Sequence, residues 1–163
     1  MSIINQVSEF LQQEGCDVVV LREGAAIRTG LAGENGEWTC DIELVDMSDE
    51  VQVLGVMSYA GDGAEEDEVV PASRIPAGIT LANHVNFDAM LLGNFEIDPS
   101  DGSWRLRTSM AFNKDGGFSE EAMRHICFVN WMEMDYHFPL FAQVLFDGTD
   151  VQEAIAQWSE EDD

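Results

Sequence analysis

The stretch WTCDIELVD, residues 38–46, alternates apolar and polar side chains with a period of two. The apolar positions are Trp38, Cys40, Ile42 and Leu44, and the polar positions between them are Thr39, Asp41 and Glu43. Successive side chains of a β-strand point to opposite faces of a sheet. The stretch therefore predicts an antiparallel strand with one face in the core and the other in water.

Further strand patterns lie on both sides of this segment. Residues 51–59 follow the turn MSDE and predict a central strand that is covered on both faces. Residues 17–21 and 25–31 are apolar and β-branched, and they predict a bent strand or a hairpin. Residues 95–98 and 104–112 predict two short strands joined by the turn PSDGS. Together these segments predict an antiparallel sheet of about five strands.

Four other segments have helical signals, which are apolar spacing, an N-terminal cap or a terminating glycine. They cover residues 2–14, about 73–92, 119 onward and 149–158. The order of a helix, several strands, a helix, a hairpin and further helices is typical of α+β proteins. We therefore expect one α+β domain over residues 1–163, with the helices packed on the sheet.

Local features predict how several of these segments begin and end. Pro139 predicts a kink or a restart of the third helix, because proline removes a backbone donor. Thr149 and Gln152 predict a capping box at the start of the last helix. The acidic stretch 60–72 predicts a mobile loop, and the acidic tail 159–163 is expected to fray.

The charge of the chain restricts its partners. The sequence has 32 acidic and 7 basic residues, which give a formal net charge of −25. Because phosphate is repelled and no cluster of Arg or Lys is present, binding to nucleic acid or to an anionic membrane is not expected. Two interpretations remain open: the charge keeps the protein dispersed, or it attracts a basic protein partner, in the extreme as a mimic of DNA.

Cysteine usage and the N-terminus indicate the compartment. Cys16, Cys40 and Cys127 are odd in number, far apart and without a CxxC pair, so neither a disulfide framework nor a zinc site is expected. The N-terminal MSIINQVSEF lacks the regions of a signal peptide, and no apolar run approaches the roughly 20 residues that cross a bilayer. These features predict a cytoplasmic protein without a membrane span.

Few side chains show a pattern that is typical of catalysis or metal binding. His84, His125 and His137 lack the i, i+4 pairing of helical zinc motifs, so no metal or other cofactor is expected. Asp98 and Asp101 are interpreted as turn formers rather than calcium ligands. No nucleophile, phosphate-loop or dinucleotide motif occurs, so no catalytic residue is assigned and the chain is expected not to be an enzyme.

One carboxylate pair nevertheless offers a catalytic alternative. Asp41 and Glu43 share the wet face of the strand at residues 38–46. Two carboxylates at a suitable separation perform acid–base chemistry in hydrolases. A carboxylate-dependent hydrolase is therefore one alternative function.

Opposite charges face each other across the predicted hairpin. Arg105 and Arg107 share the outer face of one strand, and Glu96 and Asp98 share the outer face of the other. Cross-strand ion pairs are the expected arrangement. An anion site built on the arginines is the alternative.

Two segments are candidates for contact with a partner. Asn83 and Asn86 share one face of the second helix, where their amides either recognise a peptide backbone or cap a nearby strand or loop. Residues 126–132 are apolar around almost the whole circumference of the third helix, so one side is expected to cover the sheet and the other to meet a second subunit or another protein. The candidate interface residues of this segment are Phe128, Trp131 and Met132.

The second half of the chain resembles the YbjN family. The resemblance lies in NHVNFDAMLLGNFEIDPSDGSWRLRTSMAF, which begins at Asn83, and in FSEEAMRHICFVNWMEMDYHFPLFAQVLFDGTDVQEAI. Its elements are Asn83 and Asn86 in a helix that ends at Gly93, the strand FEID, and FDG followed by a helix that contains alanine. The resemblance implies a fold like that of type III secretion chaperones and a regulatory role in bacterial sensory transduction. It implies no catalytic residues.

These observations predict a non-enzymatic, chaperone-like regulatory domain that binds a protein partner and forms a homodimer. An acidic decoy or DNA mimic that binds a basic protein is one alternative, and the hydrolase is the other. The sequence does not name the partner.

Overall fold

The computed structural model describes residues 2–60, 70–116 and 119–161 and shows an α+β fold. The helices are α1 (Ile3–Gln13), α2 (Ile75–Asp88), α3 (Glu120–Leu145) and α4 (Val151–Glu161). The strands are β1 (Val18–Arg22), β2 (Ala26–Ala32), β3 (Glu37–Asp46), β4 (Val51–Ala60), β5 (Asn94–Ile97) and β6 (Trp104–Asn113). All paired strands are antiparallel, and their order is β1-β2-β3-β4-β6-β5. The predicted fold class is confirmed.

The sheet has six strands rather than about five, because residues 17–31 form a hairpin and not one bent strand. A hydrogen bond of 3.0 Å from the backbone N–H of Ala25 to the carbonyl of Arg22 closes its turn. Gly24 in this turn has a φ of +68°, which residues with a Cβ rarely adopt. β3 and β4 lie in the middle of the sheet, as predicted for residues 51–59.

The helices pack on one face of the sheet, against the apolar side of the strand alternation. Trp38, Cys40 and Ile42 of β3 are buried there. One half of the core joins α1 and the first part of α3 to β2, β3 and β4. The other half joins α2, α4 and the rest of α3 to β5 and β6, and Trp131 packs against both halves. On the opposite face no described element covers β4, so Val53 stays half-exposed. The prediction that this strand is covered on both faces is therefore wrong.

α3 runs without a break through Pro139, so the predicted restart of the helix is wrong. Proline has no N–H to donate to the carbonyl of Asp135, four residues earlier. That carbonyl instead accepts a hydrogen bond of 3.1 Å from the side-chain amide of Asn35. The Asp135 carboxylate also accepts the backbone N–H groups of Glu34 and Asn35, at 3.1 and 2.9 Å. The β2–β3 turn therefore supplies the donor that the proline removes.

α2 ends at Asp88 and not near Leu92, where the sequence predicts its end. β5 begins soon afterwards and must lie beside β6, so the chain leaves the helix early. Gly93 permits the approach, because it has a φ of +89° and a Cβ there would lie 2.7 Å from the carbonyl oxygen of Arg107. The early end leaves the residues between Asp88 and Gly93 outside the helix.

Both ends of α4 differ from the prediction. Asp150 caps the helix instead of Thr149, because its carboxylate accepts the backbone N–H of Gln152 at 2.9 Å. The helix continues to Glu161, so it extends into the tail 159–163 that was expected to fray. The last two residues of that tail lie outside the described residues.

Two further expectations concern the acidic stretch and the membrane. The predicted mobile loop 60–72 lies outside the described residues except at its ends, and Val70 at one end is buried in the core. Within the described part of the chain, no helix is long and apolar enough to cross a membrane.

Candidate partner-binding surface

Large apolar side chains are exposed around the end of α2 and along the outer side of α3. They are Phe87, Leu91, Leu92, Phe128, Met132 and Tyr136, and we call this group the α2–α3 surface. The exposed fractions of Phe87, Leu91 and Met132 are 90 %, 97 % and 69 %. Single exposed apolar side chains are common on folded proteins, whereas a group of them in one region is typical of an interaction site.

The α3 part of this surface is a ridge. Phe128, Met132 and Tyr136 follow one another at a spacing of four residues, which places them along one side of the helix. A helix rises about 1.5 Å per residue, so the ridge is about 12 Å long. The ring of Phe128 contacts Phe10 of α1 edge-on, with the ring centroids 6.0 Å apart. The ridge is therefore supported at one end by α1.

The α2 part of the surface follows from the early end of that helix. Phe87 lies in its last turn, and Leu91 and Leu92 lie in the segment that leads to β5. Leu92 lines a small cavity of about 50 Å³ together with Val129 of α3. This cavity places the segment after α2 beside α3, and Asp88 and Ala89 at the end of α2 line a larger cavity together with Tyr136 of α3.

The predicted interface residues of α3 differ in their exposure to solvent. Phe128 and Met132 are exposed, whereas Trp131 is half-buried between the two halves of the core. Ile126 and Cys127 are buried. The segment is thus not fully enclosed by its own chain, but the exposed part is a narrow stripe. Trp131 contributes to the core rather than to this surface.

Asn130 in the same segment is fully buried and was not singled out from the sequence. Its side-chain carbonyl accepts the hydroxyl of Ser58 at 2.5 Å, and its amide donates to the carbonyls of Val56 and Leu106 at 3.1 and 3.2 Å. These bonds join α3 to β4 and β6. One polar residue inside an apolar helical segment is the sign of this contact in the sequence.

Asn83 and Asn86 do not act together. The Asn86 amide donates to the carbonyl of Phe95 at 3.0 Å, and its oxygen accepts the N–H of Phe95 at 2.8 Å. Asn86 thus satisfies the backbone of the edge strand β5, which is the structural role that the sequence left open. Its amide is occupied and is not available to a partner peptide, while Asn83 is exposed on α2.

A cleft of about 270 Å³ opens between α2, α3 and α4. Its lining includes His84 and Asp88 of α2, Tyr136 and His137 of α3, and Trp158 of α4. The other lining residues are Ser159 and the apolar Val85, Ala89, Leu140 and Ile155. Because Tyr136 also belongs to the α2–α3 surface, the cleft is continuous with that surface.

Polar and aromatic groups are ordered around this cleft. His84 Nδ1 lies 2.9 Å from Asp88 Oδ2, one helical turn away. The rings of Tyr136 and Trp158 meet edge-on with centroids 5.0 Å apart, and the buried ring of His137 stacks on Trp158 at 6.1 Å. Two histidines that are 53 positions apart in the sequence thus line one cavity. Sequence spacing alone contains no signal for this arrangement.

Metal binding was not expected for the histidines, and His137 and His125 lie in different surroundings. His137 Nδ1 lies 3.0 Å from the carbonyl oxygen of Glu133 and 3.5 Å from its carboxylate. His125 lines the small cavity beside Leu92 and not the cleft. Among residues 2–60, 70–116 and 119–161, no three His, Cys, Asp or Glu side chains are grouped so that they hold a metal ion.

The carboxylate pair on β3 is held by an arginine. Asp41 and Glu43 point to the outer face of the sheet, as predicted, and Asp41 is largely buried. Both oxygens of Asp41 accept hydrogen bonds from Arg28, at 2.6 and 2.8 Å. This contact raises the pKa of Arg28 above its ordinary value. The arrangement is that of a structural ion pair between β2 and β3.

The predicted cross-strand ion pairs are confirmed for Glu96 and are wrong for Asp98. Glu96 accepts from Arg105 at 2.7 Å and also contacts Arg107. Asp98 lies beyond the end of β5, where its carboxylate accepts the hydroxyl and backbone N–H of Ser100. These bonds lower the pKa of Asp98. Asp98 therefore acts as a turn former, which is the second interpretation of this residue from the sequence.

Most basic side chains of the chain are engaged internally. The ion-paired ones are Arg28, Arg105, Arg107, Lys114 and Arg124. Arg74 donates to the backbone carbonyls of Val144 and Thr149, at the end of α3. The acidic excess of the chain is therefore not neutralised by its own cations.

Comparison of the sequence with protein-family models and with curated proteins finds no match in either. The likeness to the YbjN family accordingly rests on the residues quoted above.

Proposed function

We propose that this chain is a non-enzymatic protein-binding domain that holds a partner on the α2–α3 surface, as a chaperone-like regulator does. The observation that carries the proposal is the exposure of Phe87 and Leu91 around the end of α2 and of Met132 on α3, two elements that share a cleft lined by Asp88 and Tyr136. The resemblance of the second half of the chain to the YbjN family supports a bacterial and regulatory setting, and the unpaired cysteines support a cytoplasmic one.

The exposed side chains are of the kinds that stabilise protein interfaces. Aromatic residues and methionine are enriched in the buried centre of such interfaces. Fully burying a Leu, Phe or Met side chain contributes about 1.5–3 kcal/mol, so burying the three most exposed ones contributes roughly 5–9 kcal/mol. Association costs about 4–15 kcal/mol. A stable complex therefore requires a partner that covers most of the α2–α3 surface.

A non-enzymatic role is supported by the state of the reactive groups. Burial raises the pKa of the Cys40 thiol to about 12, and it raises the pKa of Cys127 as well. A thiol with a raised pKa is a poor nucleophile near neutral pH. Both oxygens of Asp41 are bonded to Arg28, which leaves this carboxylate poorly suited to accept a substrate proton.

Two partners suit the surface, which are a second copy of the chain and a basic protein. The dependence of binding on salt concentration distinguishes them. Each copy carries a formal charge of −25, so two copies repel and added salt strengthens a homodimer by screening. A basic partner is attracted, so added salt weakens its complex. Because most of the chain's cations are already paired internally, its free carboxylates favour the basic partner. The homodimer remains a prediction, which sedimentation tests.

Paired variants test this function. Leu91→Ser with Met132→Gln changes the proposed surface, and Val19→Thr with Val20→Thr is the matched control. The control residues are apolar, 59 % and 61 % exposed, and lie on β1. Tagged wild type and both variants capture proteins from an extract of the source organism at two salt concentrations. We expect partners that the control retains and that the surface variant captures at least fivefold less.

Sedimentation of the same three proteins measures self-association. A wild-type dimer that becomes monomeric only in the surface variant identifies a second copy as the occupant. Equal capture by all three proteins, with unchanged sedimentation, would show that the α2–α3 surface does not bind a partner.

A further inference from the structure

We infer that the cleft between α2, α3 and α4 receives a cationic side chain, arginine or lysine, from the bound partner segment. This inference rests on the proposed function, because it assigns a chemistry to the partner that lies on the adjoining α2–α3 surface. It is carried by the aromatic walls of the cleft, its carboxylate and its continuity with that surface.

The walls of the cleft suit a cation. Trp158 and Tyr136 meet edge-on, with centroids 5.0 Å apart, and both line the cavity. The faces of tryptophan and tyrosine attract a guanidinium or ammonium group that lies within about 6 Å of the ring centroid. His137 stacks on Trp158, so a cation is expected at those parts of the two rings that the cavity leaves open.

The charge of the lining has the matching sign. Asp88 supplies a carboxylate whose side chain is half-exposed, and His84 Nδ1 holds one of its oxygens at 2.9 Å. No described arginine or lysine lines the cleft. The donors of a guanidinium therefore meet the Asp88 carboxylate with no described arginine or lysine beside it in the lining.

The cleft has room for one long side chain. Its volume is about 270 Å³. Pockets for drug-sized ligands hold about 300–1,000 Å³. One long side chain enters such a space, with its methylene groups against the apolar residues Val85, Leu140 and Ile155.

Continuity with the surface indicates the form of the partner. Tyr136 ends the ridge that begins at Phe128, and it is also a wall of the cleft. The ridge is about 12 Å long, which corresponds to about eight residues of a partner helix. The fitting occupant is an amphipathic segment with apolar residues along the ridge and an arginine or lysine at the end near Tyr136. Such a segment also suits the net charge of −25.

Titration by NMR with two small probes tests the cleft directly. N-acetylargininamide carries the cation, and N-acetylcitrullinamide has nearly the same shape without the charge. At physiological salt we expect the arginine probe to shift the Trp158 indole and His84 ring signals to saturation in the millimolar range. The citrulline probe is expected to bind at least tenfold more weakly.

Asp88→Asn is the critical variant, and Asp49→Asn is its control. Both remove one exposed carboxylate, but Asp49 lies in the turn between β3 and β4. Asp88→Asn is expected to weaken the arginine probe at least fivefold, and Asp49→Asn to leave its affinity unchanged. A Trp158→Leu variant, checked for its fold by circular dichroism, is expected to abolish the saturating shift of the His84 ring signals.

Three results would overturn the inference. They are equal affinity for the two probes, shifts of the arginine probe that do not saturate, and equal effects of the two Asp→Asn variants. Each leaves the function itself standing if the Leu91→Ser and Met132→Gln variant still loses its partner. If instead the surface variant and the control capture the same partners while the arginine probe still saturates its site, only the proposed function is contradicted.

Discussion

The buried amide of Asn130 is expected to stabilise the whole fold, although it lies in a segment that is otherwise apolar. It bonds to Ser58 at 2.5 Å and to the carbonyls of Val56 and Leu106 at 3.1 and 3.2 Å. A net contribution of about 1 kcal/mol for each of the three bonds predicts that Asn130→Ala lowers the free energy of unfolding by roughly 3 kcal/mol. The loss is this large because Ser58 is left buried without that acceptor.

Urea unfolding followed by tryptophan fluorescence measures this loss. The midpoint is expected to fall without a change in the slope, which reports the surface exposed on unfolding. For a chain of this size about 1 kcal/mol shifts the melting temperature by about 2–4 °C, so the expected shift is roughly 6–12 °C. Asn83→Ala, at an exposed position of α2, is the control and is expected to change stability by at most about 0.5 kcal/mol.

A double-mutant cycle with Ser58→Ala checks the cause of the loss. The two residues are expected to couple by about 0.5 kcal/mol or more, because each variant removes the same hydrogen bond. A loss below about 1 kcal/mol for Asn130→Ala, or no coupling to Ser58, would refute the reasoning that this amide joins α3 to the sheet.

The bonds of Asn86 and the burial of the cysteines lead to two further predictions. Asn86→Ala removes both bonds to the backbone of Phe95, so it is expected to lower the free energy of unfolding by about 2 kcal/mol. It is also expected to speed hydrogen exchange at the Phe95 amide more than at other strand amides. Unchanged exchange at that amide would show that Asn86 does not protect the edge strand. In the folded protein only Cys16 is expected to react with a thiol reagent at neutral pH, because burial and raised pKa values keep Cys40 and Cys127 as thiols. Fast labelling that survives Cys16→Ser would contradict this, and all three are expected to react in denaturant.

Much of the sheet was predictable because strand alternation is a local property. The period of two in residues 38–46 assigned Trp38, Cys40 and Ile42 to the core face, and all three are buried. The same reasoning placed Glu96 opposite Arg105, which it contacts. It left open whether residues 17–31 form one bent strand or a hairpin, because a short connection between two apolar runs fits either, and the structure has the hairpin.

Helix ends were less predictable because the elements beside them decide where a helix stops. α2 ends early since β5 must approach β6, and Gly93 is placed where that approach occurs. α3 continues through Pro139 since Asn35, a hundred positions earlier, donates to the freed carbonyl of Asp135. Neither effect is visible in the residues of the helix itself.

The candidate site was predictable only in part. Apolar excess in residues 126–132 indicated Phe128 and Met132, which are exposed. It did not separate them from Trp131, which is half-buried, and it passed over Phe87 and Leu91. Their exposure results from the early end of α2, so the larger part of the α2–α3 surface depends on a tertiary constraint.

The sequence by itself determined the fold class, the buried face of β3 and the acidic character of the chain, because periodicity and charge are properties of neighbouring or summed residues. Only the tertiary structure decided that His84 and His137 line one cleft, that Asn86 is occupied by β5 and that Met132 stays uncovered. The reason is physical: whether a side chain is buried, bonded or exposed depends on which distant elements pack against it, and local spacing does not encode those neighbours.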